Sequence, residues 1–240
     1  MRKTTPFTSR CLRKYYPGTP TDYEHFSNKT NNSLPTRGRI LDLGAGAGII
    51  PTLDWRGPSR TVFGVDPDPR VRVNKLLDRA AVGDGTRLPF ADSVFDSAVS
   101  VNVMEHLPAP DSLLKEALRV LKPGARLFVK TPNRNHYIGW IARLTPTGFH
   151  KWYNRLRGRE AEDTFETHYR YNRFQDVERI ARSAGFEVES LDAFEGIPEY
   201  LLLAAPLFFP GLWYERWVNA RPGRNRYRAN LEIVLRKPSN

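Results

Sequence analysis

The sequence predicts an α/β fold built around a mostly parallel sheet. Three observations support this prediction. Short apolar segments alternate with amphipathic stretches between residues 39 and 132, as parallel strands alternate with their crossover helices. A glycine-rich turn follows the first apolar segment, and acidic residues follow the next two. The 240 residues, 40% of them hydrophobic, suffice for one such domain with a complete core.

The first element is a strand, Ile40 to Leu43, followed by Gly44, Gly46 and Gly48. Alternate glycines let the chain turn tightly and leave no Cβ to obstruct a ligand. A helix is expected directly after them, and its N-terminus would offer free N–H groups to a carboxylate or a phosphate. Ile49 stands where a dinucleotide-binding G-x-G-x-x-G pattern has its third glycine, which counts against a nicotinamide cofactor.

The next two strands are followed by acidic residues. The second strand, Thr61 to Val65, ends at Asp66, and the third, which ends near Val82, is followed by Asp84. Because ligands of a parallel sheet bind beyond the carboxyl ends of its strands, these acids and the glycine turn fall on one edge. A helix with one apolar face is expected over residues 67–80, between the two strands.

The remaining elements continue this alternation. They are a strand from Phe95 to Val101, a helix from Leu113 to Leu121, a strand from Arg126 to Lys130, a helix from Phe174 to Ala184, a strand from Glu187 to Phe194 and a strand from Arg228 to Leu235. Residues 1–38 lack a strong periodicity and are expected to form loops and a short helix.

The motifs between residues 38 and 132 carry a family resemblance. DLGAGAG, VFGVD, GDGTRLPFADSVFDSAV and RVLKPGARLFV follow one another in the order and spacing of class I S-adenosylmethionine-dependent methyltransferases of type 11, many of which act in quinone pathways. The chain resembles this family, which implies a Rossmann-like sheet of seven strands, mostly parallel with an antiparallel last strand, helices on both faces and lid insertions. The resemblance also implies a methyltransferase whose cofactor is S-adenosylmethionine.

The resemblance implies a role for each matching position. Asp42 and the backbone of Gly44, Ala45, Gly46 and Gly48 would hold the methionine end of the cofactor. Asp66 would accept hydrogen bonds from the ribose, Pro67, Asp84 and Gly85 would contact the adenine, and Asn102 with its neighbour Val101 would border the sulfonium. Each acid taken alone would equally suit a helix cap or a solvated turn, so the assignment depends on their joint placement.

His106 is the candidate catalytic base. It lies shortly after the fourth strand, and imidazole changes its protonation near neutral pH, which suits an acceptor hydroxyl or acidic carbon that must lose a proton. A structural hydrogen-bonding role is an equally open interpretation. The basic, aromatic segment 133–171 lies where this family usually builds a substrate lid, although ordinary aromatic packing would explain the same composition. The candidate substrate residues of this segment are His136, Tyr137, His168 and Tyr171.

The predicted organisation is an N-terminal cap of residues 1–38 and a methyltransferase domain of residues 39–240, with the lid insertion at 133–171 and a long connection at 195–227. The net charge of +11 is concentrated outside the cofactor core, since residues 1–40 alone carry eight basic and two acidic side chains. Such basic flanks attract an anionic membrane surface or nucleic acid, and a merely solvated surface is equally compatible with them.

The connection contains an apolar stretch from Leu201 to Trp213 that two prolines interrupt. It is too short to span a bilayer. A lid over an apolar substrate, a homodimer contact, a wedge at a membrane surface and a buried structural flap are all compatible with it.

The single cysteine, Cys11, excludes an internal disulfide and a Cys-cluster zinc site, and it indicates a reducing compartment. A cytoplasmic enzyme is therefore expected, with peripheral membrane association as an open addition. The absence of acids before Asp22 leaves a mitochondrial transit peptide as an alternative. The sequence shows no metal-ligand cluster, so no metal is expected.

The segment Val101 to Met104 differs from the Asn/Asp-Pro-Pro-aromatic motif of the family members that methylate exocyclic amines. The predicted acceptor is therefore a hydrophobic small molecule or a lipid-linked compound, methylated on oxygen or carbon. An RNA methyltransferase is the main alternative, because basic flanks and aromatic residues suit phosphates and stacked bases. Nucleic acid is the less favoured partner, since no RNA-binding module is recognisable. An oxidoreductase or a nucleotide-binding module on the same fold stays open as well.

Overall fold

The computed structural model describes residues 5–137, 167–198, 201–202 and 205–239. Most of the predicted lid insertion, residues 138–166, lies outside the described residues. The chain divides into two compact units. The first unit comprises Met1–Asp22, Asn133–Thr167 and Ala193–Asn230, and the second comprises Tyr23–Pro132, His168–Asp192 and Leu231–Asn240. The role of residues 1–38 as a cap stays a prediction.

A seven-stranded sheet forms the framework. Its strands are β1 (Arg37–Leu43), β2 (Ser59–Asp66), β3 (Arg79–Val82), β4 (Phe95–Val101), β5 (Leu121–Pro132), β6 (Glu187–Phe194) and β7 (Asn230–Arg236). The spatial order is β3-β2-β1-β4-β5-β7-β6, with the first five strands parallel and the last strands antiparallel. The predicted fold class is confirmed, and the predicted bounds of the fourth and sixth strands match those of β4 and β6.

Five α-helices accompany the sheet in the described part of the chain. They are α1 (Pro6–Tyr15), α2 (Asp22–Ser33), α3 (Pro110–Val120), α4 (Phe174–Ser183) and α5 (Phe208–Asn219). Helix α3 shows why these segments are helical: its buried residues Leu113, Leu114, Ala117 and Val120 recur at three- and four-residue spacing and give one apolar face. The structure thus has two helices where loops and one short helix were expected before residue 38.

The core of the second unit lies between the sheet and α2. Ile40, Val62 and Val99 come from the three central strands β1, β2 and β4 and are fully buried. Phe26 of α2 packs edge to face against Trp55, with their ring centroids 6.3 Å apart. This packing fixes the central strands, and with them the carboxyl-end edge of the sheet.

Two predicted helices are absent. The expected helix after Gly48 is wrong: residues 49–58 form turns and loop, because Pro51 and the Gly57–Pro58 pair interrupt a segment of only ten residues. Trp55 fills the core from this loop. The binding contribution that we expected from a helix N-terminus at the glycine turn is therefore absent too.

The predicted helix over residues 67–80 is also wrong, because only a short 3₁₀ helix, Pro69–Val73, forms there. The Asn74 side chain accepts a hydrogen bond from the backbone N–H of Leu76, and this bond stabilises a turn in place of a further helical turn. Val73, expected on the apolar face of that helix, is exposed instead.

The first unit has its own apolar cluster. Cys11 and Tyr16, from α1 and its C-terminal end, pack with Leu202 and with Phe208 and Leu212 of α5. Part of the apolar stretch between residues 201 and 213 is therefore core, as expected for a structural flap. No helix within the described ranges is both long and apolar enough to cross a membrane.

Candidate active site

The glycine turn lies between the carboxyl ends of β1 and β2. Gly44, Gly46 and Gly48 have positive φ angles of 78°, 52° and 71°, which glycine adopts without strain. The N–H of Gly44 donates to the carbonyl oxygen of Val65 at 2.8 Å and closes the turn against β2. A Cβ at Gly44 would collide with the Val103 side chain, so the turn packs closely against the segment that follows β4.

Asn74 anchors the glycine turn, and the sequence analysis missed it. Its side-chain amide donates to the carbonyl oxygens of Ala45 and Gly46 at 3.0 and 3.2 Å, and the side chain is buried. A Cβ at Gly48 would strike this amide, so the third glycine is required for the contact. The role of Asn74 was not predicted because a helix was expected over residues 67–80, and Asn74 would lie outside the apolar face of such a helix.

Asp66 binds the turn from the end of β2. One carboxylate oxygen accepts the Gly46 N–H and the other accepts the Asp68 N–H, both at 2.8 Å. Each oxygen has a second lone pair and can still accept a hydrogen bond from a ligand hydroxyl. Asp66 therefore fits the predicted contact with ribose hydroxyls. Its two hydrogen bonds also hold the glycine turn and the loop after β2 in place.

Asp42 is a buried carboxyl group on β1, 8% exposed, and it accepts a hydrogen bond from the indole N–H of Trp55 at 3.1 Å. Burial raises the pKa of Asp42 to about 7; the hydrogen bond from Trp55 opposes this shift and the negative charge of Asp66 adds to it. A cationic amino group of a ligand would favour the ionised form, so Asp42 fits the predicted contact with the methionine end of the cofactor.

Asp84, Gly85 and Pro67 follow the ends of β3 and β2. Asp84 is exposed and its carboxylate accepts the backbone N–H of Thr86 at 2.9 Å, which is the turn-forming role that its sequence context also allowed. A Cβ at Gly85 would approach the end of the Leu113 side chain to 2.7 Å, so a larger residue there would displace that side chain. The predicted contacts of these three residues with adenine stay predictions.

Asn102 follows β4 directly and has a positive φ of 56°, which asparagine tolerates better than most residues. Its backbone N–H donates to the carbonyl oxygen of Lys130, and its side-chain amide donates to the Tyr23 hydroxyl, both at 2.8 Å. The Lys130 ammonium lies 4.5 Å from the centre of the Tyr23 ring. Tyr23 and Lys130 thus hold Asn102 in place, and sequence analysis found neither because both contacts join distant parts of the chain.

His106 ends a short 3₁₀ helix, Met104–His106, and its side chain is 29% exposed. Its Nε2 atom lies 3.9 Å from the buried carboxylate of Glu105, whose other oxygen accepts the Thr131 hydroxyl at 2.9 Å. Burial raises the pKa of Glu105, while His106, Thr131 and Lys130 oppose that shift. The amide of Asn172 donates to Thr131 at 2.7 Å, so the carboxylate behind His106 belongs to a buried network.

The four candidate substrate residues are divided between the units. His136 and Tyr137 belong to the first unit, where the His136 Nε2 atom lies 3.3 Å from a carboxylate oxygen of buried Glu195. His168 and Tyr171 belong to the second unit: the backbone N–H of His168 donates to the Glu105 carbonyl oxygen at 2.7 Å, and Tyr171 is fully buried, which raises the pKa of its hydroxyl. Their roles in substrate binding stay predictions.

The structure brings most of the predicted cofactor residues together. Val65 pairs with Leu43 and Val101 with Lys130 in the parallel register, so the residues that follow β1, β2 and β4 lie at one edge of the sheet. Asp42, the glycine turn, Asp66, Asn102 and His106 all belong to the second unit. Among the residues that the structure describes, no group of three His, Cys, Asp or Glu side chains could hold a metal ion.

A family model described as a methyltransferase domain matches residues 19–191. The chain belongs to this family. An uncharacterized methyltransferase of Mycobacterium sp. (strain KMS) is 30% identical over 207 residues, which cover 83% of this chain and 76% of that protein. The enzyme is therefore an S-adenosylmethionine-dependent methyltransferase, and S-adenosylmethionine is its cofactor. This family membership sets the oxidoreductase alternative aside.

Solved structures share the fold. A putative methyltransferase from Bacillus halodurans superposes with a TM-score of 0.56 at 19% identity, covering 91% of this chain and all of the other. Phosphoethanolamine N-methyltransferase 2 of Haemonchus contortus, in complex with S-adenosyl-L-methionine, gives a TM-score of 0.57 at 18% identity, covering 97% of this chain and 56% of the other. At these identities the likeness concerns the fold alone.

Proposed function

We propose that the enzyme methylates a hydroxyl oxygen or an acidic carbon of a hydrophobic small molecule or lipid-linked acceptor, with His106 as the general base. Delivery of the acceptor from an anionic membrane surface belongs to the same proposal. One observation supports this choice of reaction. Just beyond β4, the half-buried imidazole of His106 lies beside the buried carboxylate of Glu105.

Bound S-adenosylmethionine supplies an activated methyl group with a good leaving group, so the residues of the protein mainly orient the acceptor and remove its proton. With the cofactor bound, a ring nitrogen of His106 would take the acceptor's proton, while the sulfonium would supply the methyl group through cleavage of its S–CH3 bond and leave as the neutral thioether. The imidazolium that results is stabilised by the Glu105 carboxylate, 3.9 Å away. Thr131 holds that carboxylate through its hydroxyl.

An apolar acceptor is favoured by the surface of the first unit. Leu207, Phe209, Trp213 and Trp217 are large hydrophobic residues in and just before α5, and all four are exposed. A soluble protein rarely exposes such residues together unless they meet an apolar partner. They support an enzyme that works beside a lipid phase, where hydrophobic acceptors are concentrated.

Transfer of isotopically labelled methyl groups tests the acceptor class. The purified enzyme is incubated with methyl-labelled S-adenosylmethionine and, in parallel, with a lipid extract, a water-soluble metabolite extract and total RNA. We expect the label in a product of the lipid extract that partitions into organic solvent. Label found only in RNA or only in water-soluble products would contradict the proposed acceptor class.

The role of His106 is tested with the same assay. His106→Gln keeps a polar side chain but cannot act as a base, so we expect the initial rate to fall by about 100-fold or more. The affinity for S-adenosylhomocysteine, measured by calorimetry, should stay within about twofold of the wild-type value, well under the 1.4 kcal/mol of a tenfold change. An unchanged rate would assign His106 a structural role.

A further inference from the structure

Four aromatic side chains line the solvent-facing side of the first unit. Phe7 comes from the first turn of α1, and Phe209, Trp213 and Trp217 come from α5; we call this set the aromatic ridge. The three residues of α5 are spaced by four positions, so they follow one face of the helix. The rings of Phe7 and Phe209 pack edge to face with centroids 6.3 Å apart, and Trp213 is the most exposed, at 74%.

The opposite face of α5 is already occupied. Phe208, Leu212 and Val218 are buried in the core of the first unit. An α-helix that is apolar on its outer face as well as its inner face is typical of one that meets a second apolar phase.

Cations flank the ridge. The Arg224 guanidinium lies 4.5 Å from the centre of the Trp217 ring, Lys14 lies 5.2 Å from the centre of the Tyr15 ring, and Tyr15 contacts Phe209 with ring centroids 6.2 Å apart. Within the described part of the first unit there are nine arginine or lysine residues and three acidic residues. Two of those acids, Glu195 and Glu215, are buried, so the exposed charge of this part is almost entirely positive.

We infer that the aromatic ridge docks the first unit on the surface of an anionic phospholipid bilayer. Tryptophan and phenylalanine side chains enter the boundary between headgroups and acyl chains, and flanking arginine and lysine side chains contact anionic headgroups. The inference names the surface that serves the proposed function. The biological role of the docking rests on the proposed function, but the docking itself does not, because binding to a bilayer requires no methyl acceptor.

The same features argue against two other occupants. A symmetric dimer through the ridge would bring the arginines of one copy against those of the other, and like charges repel. Single-stranded RNA would stack its bases on open aromatic faces. Arg224 already covers one face of Trp217, and Phe7 and Phe209 pack against each other, so within the ridge only Trp213 leaves most of its surface open for a stacked base.

Vesicle co-sedimentation tests the inference. Wild-type protein is mixed with phosphatidylcholine vesicles that contain or lack phosphatidylglycerol. We expect binding to the anionic vesicles, weakened but not abolished in high salt, because the apolar contribution is not screened. Trp213→Ser should lower the vesicle partition coefficient by about tenfold, whereas Trp213→Phe should retain most of it. Wild-type protein that stays in the supernatant with anionic vesicles would overturn the inference.

A matched control comes from the second unit. Val73 is 70% exposed and lies outside the ridge, so Val73→Ser should bind vesicles like the wild type. Each variant is checked for an unchanged melting temperature and unchanged S-adenosylhomocysteine affinity, which separates a docking defect from misfolding. Trp213→Ser with wild-type vesicle binding would overturn the inference. So would a lipid-free dimer that Trp213→Ser disrupts, or protein that binds RNA but not anionic vesicles at equal ionic strength.

Discussion

Asp42→Asn tests the protonation state of a buried acid at the edge of the sheet. In the wild type, burial favours the protonated carboxyl and raises the pKa of Asp42 to about 7, against about 4 in an unfolded chain. The raised pKa of Asp42 contributes to the free energy of unfolding. This contribution is fully present below about pH 4 and is lost as the pH rises through about 7. Asparagine has the same shape and can accept the Trp55 indole N–H, but it does not titrate.

The magnitude follows from linkage between protonation and folding. A shift from about 4 to about 7 makes the wild type lose about 2–3 kcal/mol of unfolding free energy between pH 5 and pH 8 through this single group. Asp42→Asn removes that dependence. It also adds a cost that does not vary with pH. A protonated carboxyl has one hydrogen to donate and an asparagine amide has two, so the variant must bury one additional hydrogen-bond donor.

Urea denaturation of the wild type and the variant at several pH values from 5 to 8 measures the difference. We expect the variant to gain stability relative to the wild type as the pH rises, by about 2–3 kcal/mol over the whole range. Two curves that stay parallel across this range would show that Asp42 ionises normally in the folded protein. The proposed account of the buried carboxyl would then be wrong.

Three further substitutions test contacts of the site. Asn74→Ala removes the side-chain hydrogen bonds that hold the glycine turn and should lower the free energy of unfolding by about 1–2 kcal/mol. The variant should also bind S-adenosylhomocysteine about tenfold more weakly in calorimetry, and an unchanged affinity would refute the anchoring role of Asn74. Thr131→Val leaves the buried Glu105 carboxylate without its hydroxyl donor and should cost about 1–3 kcal/mol in urea denaturation, whereas a neutral effect would argue against the network. Tyr23→Phe removes the oxygen that accepts the Asn102 amide and should weaken S-adenosylhomocysteine binding about threefold to tenfold, and wild-type affinity would show that Asn102 needs no such support.

Part of this fold could be predicted from sequence because it depends on local patterns. The local sequence patterns of β4 and β6, which mix apolar and polar residues, predicted their bounds, and the three alternate glycines identify the turn after β1. Asp66 was predicted as a site residue because it ends the strand beside that turn, where a parallel sheet binds its ligands, whereas Asp42 was predicted only through the family resemblance.

The rest depends on contacts between distant parts of the chain. Asn74 reaches back to the glycine turn across 28 and 29 residues, and Tyr23 reaches Asn102 across 79. The two missing helices failed for different reasons. Pro51 and the Gly57–Pro58 pair interrupt the first segment locally, whereas in the second segment Asn74 makes contacts with the distant glycine turn. The apolar stretch before residue 213 illustrates a further difficulty, since composition does not show which of its residues face the core.

Calorimetric titration with S-adenosylhomocysteine tests the assignment of the cofactor site most directly. We expect the wild type to bind it, and Asp66→Ala to bind it at least about tenfold more weakly, because that substitution removes the proposed acceptor for the ribose hydroxyls and two contacts with backbone N–H groups. Asp68→Ala is the matched control, since the carboxylate of Asp68 pairs with Arg70 nearby, and its affinity should match the wild type. Absence of binding by the wild type, or equal affinity in Asp66→Ala, would contradict the site described at this edge of the sheet.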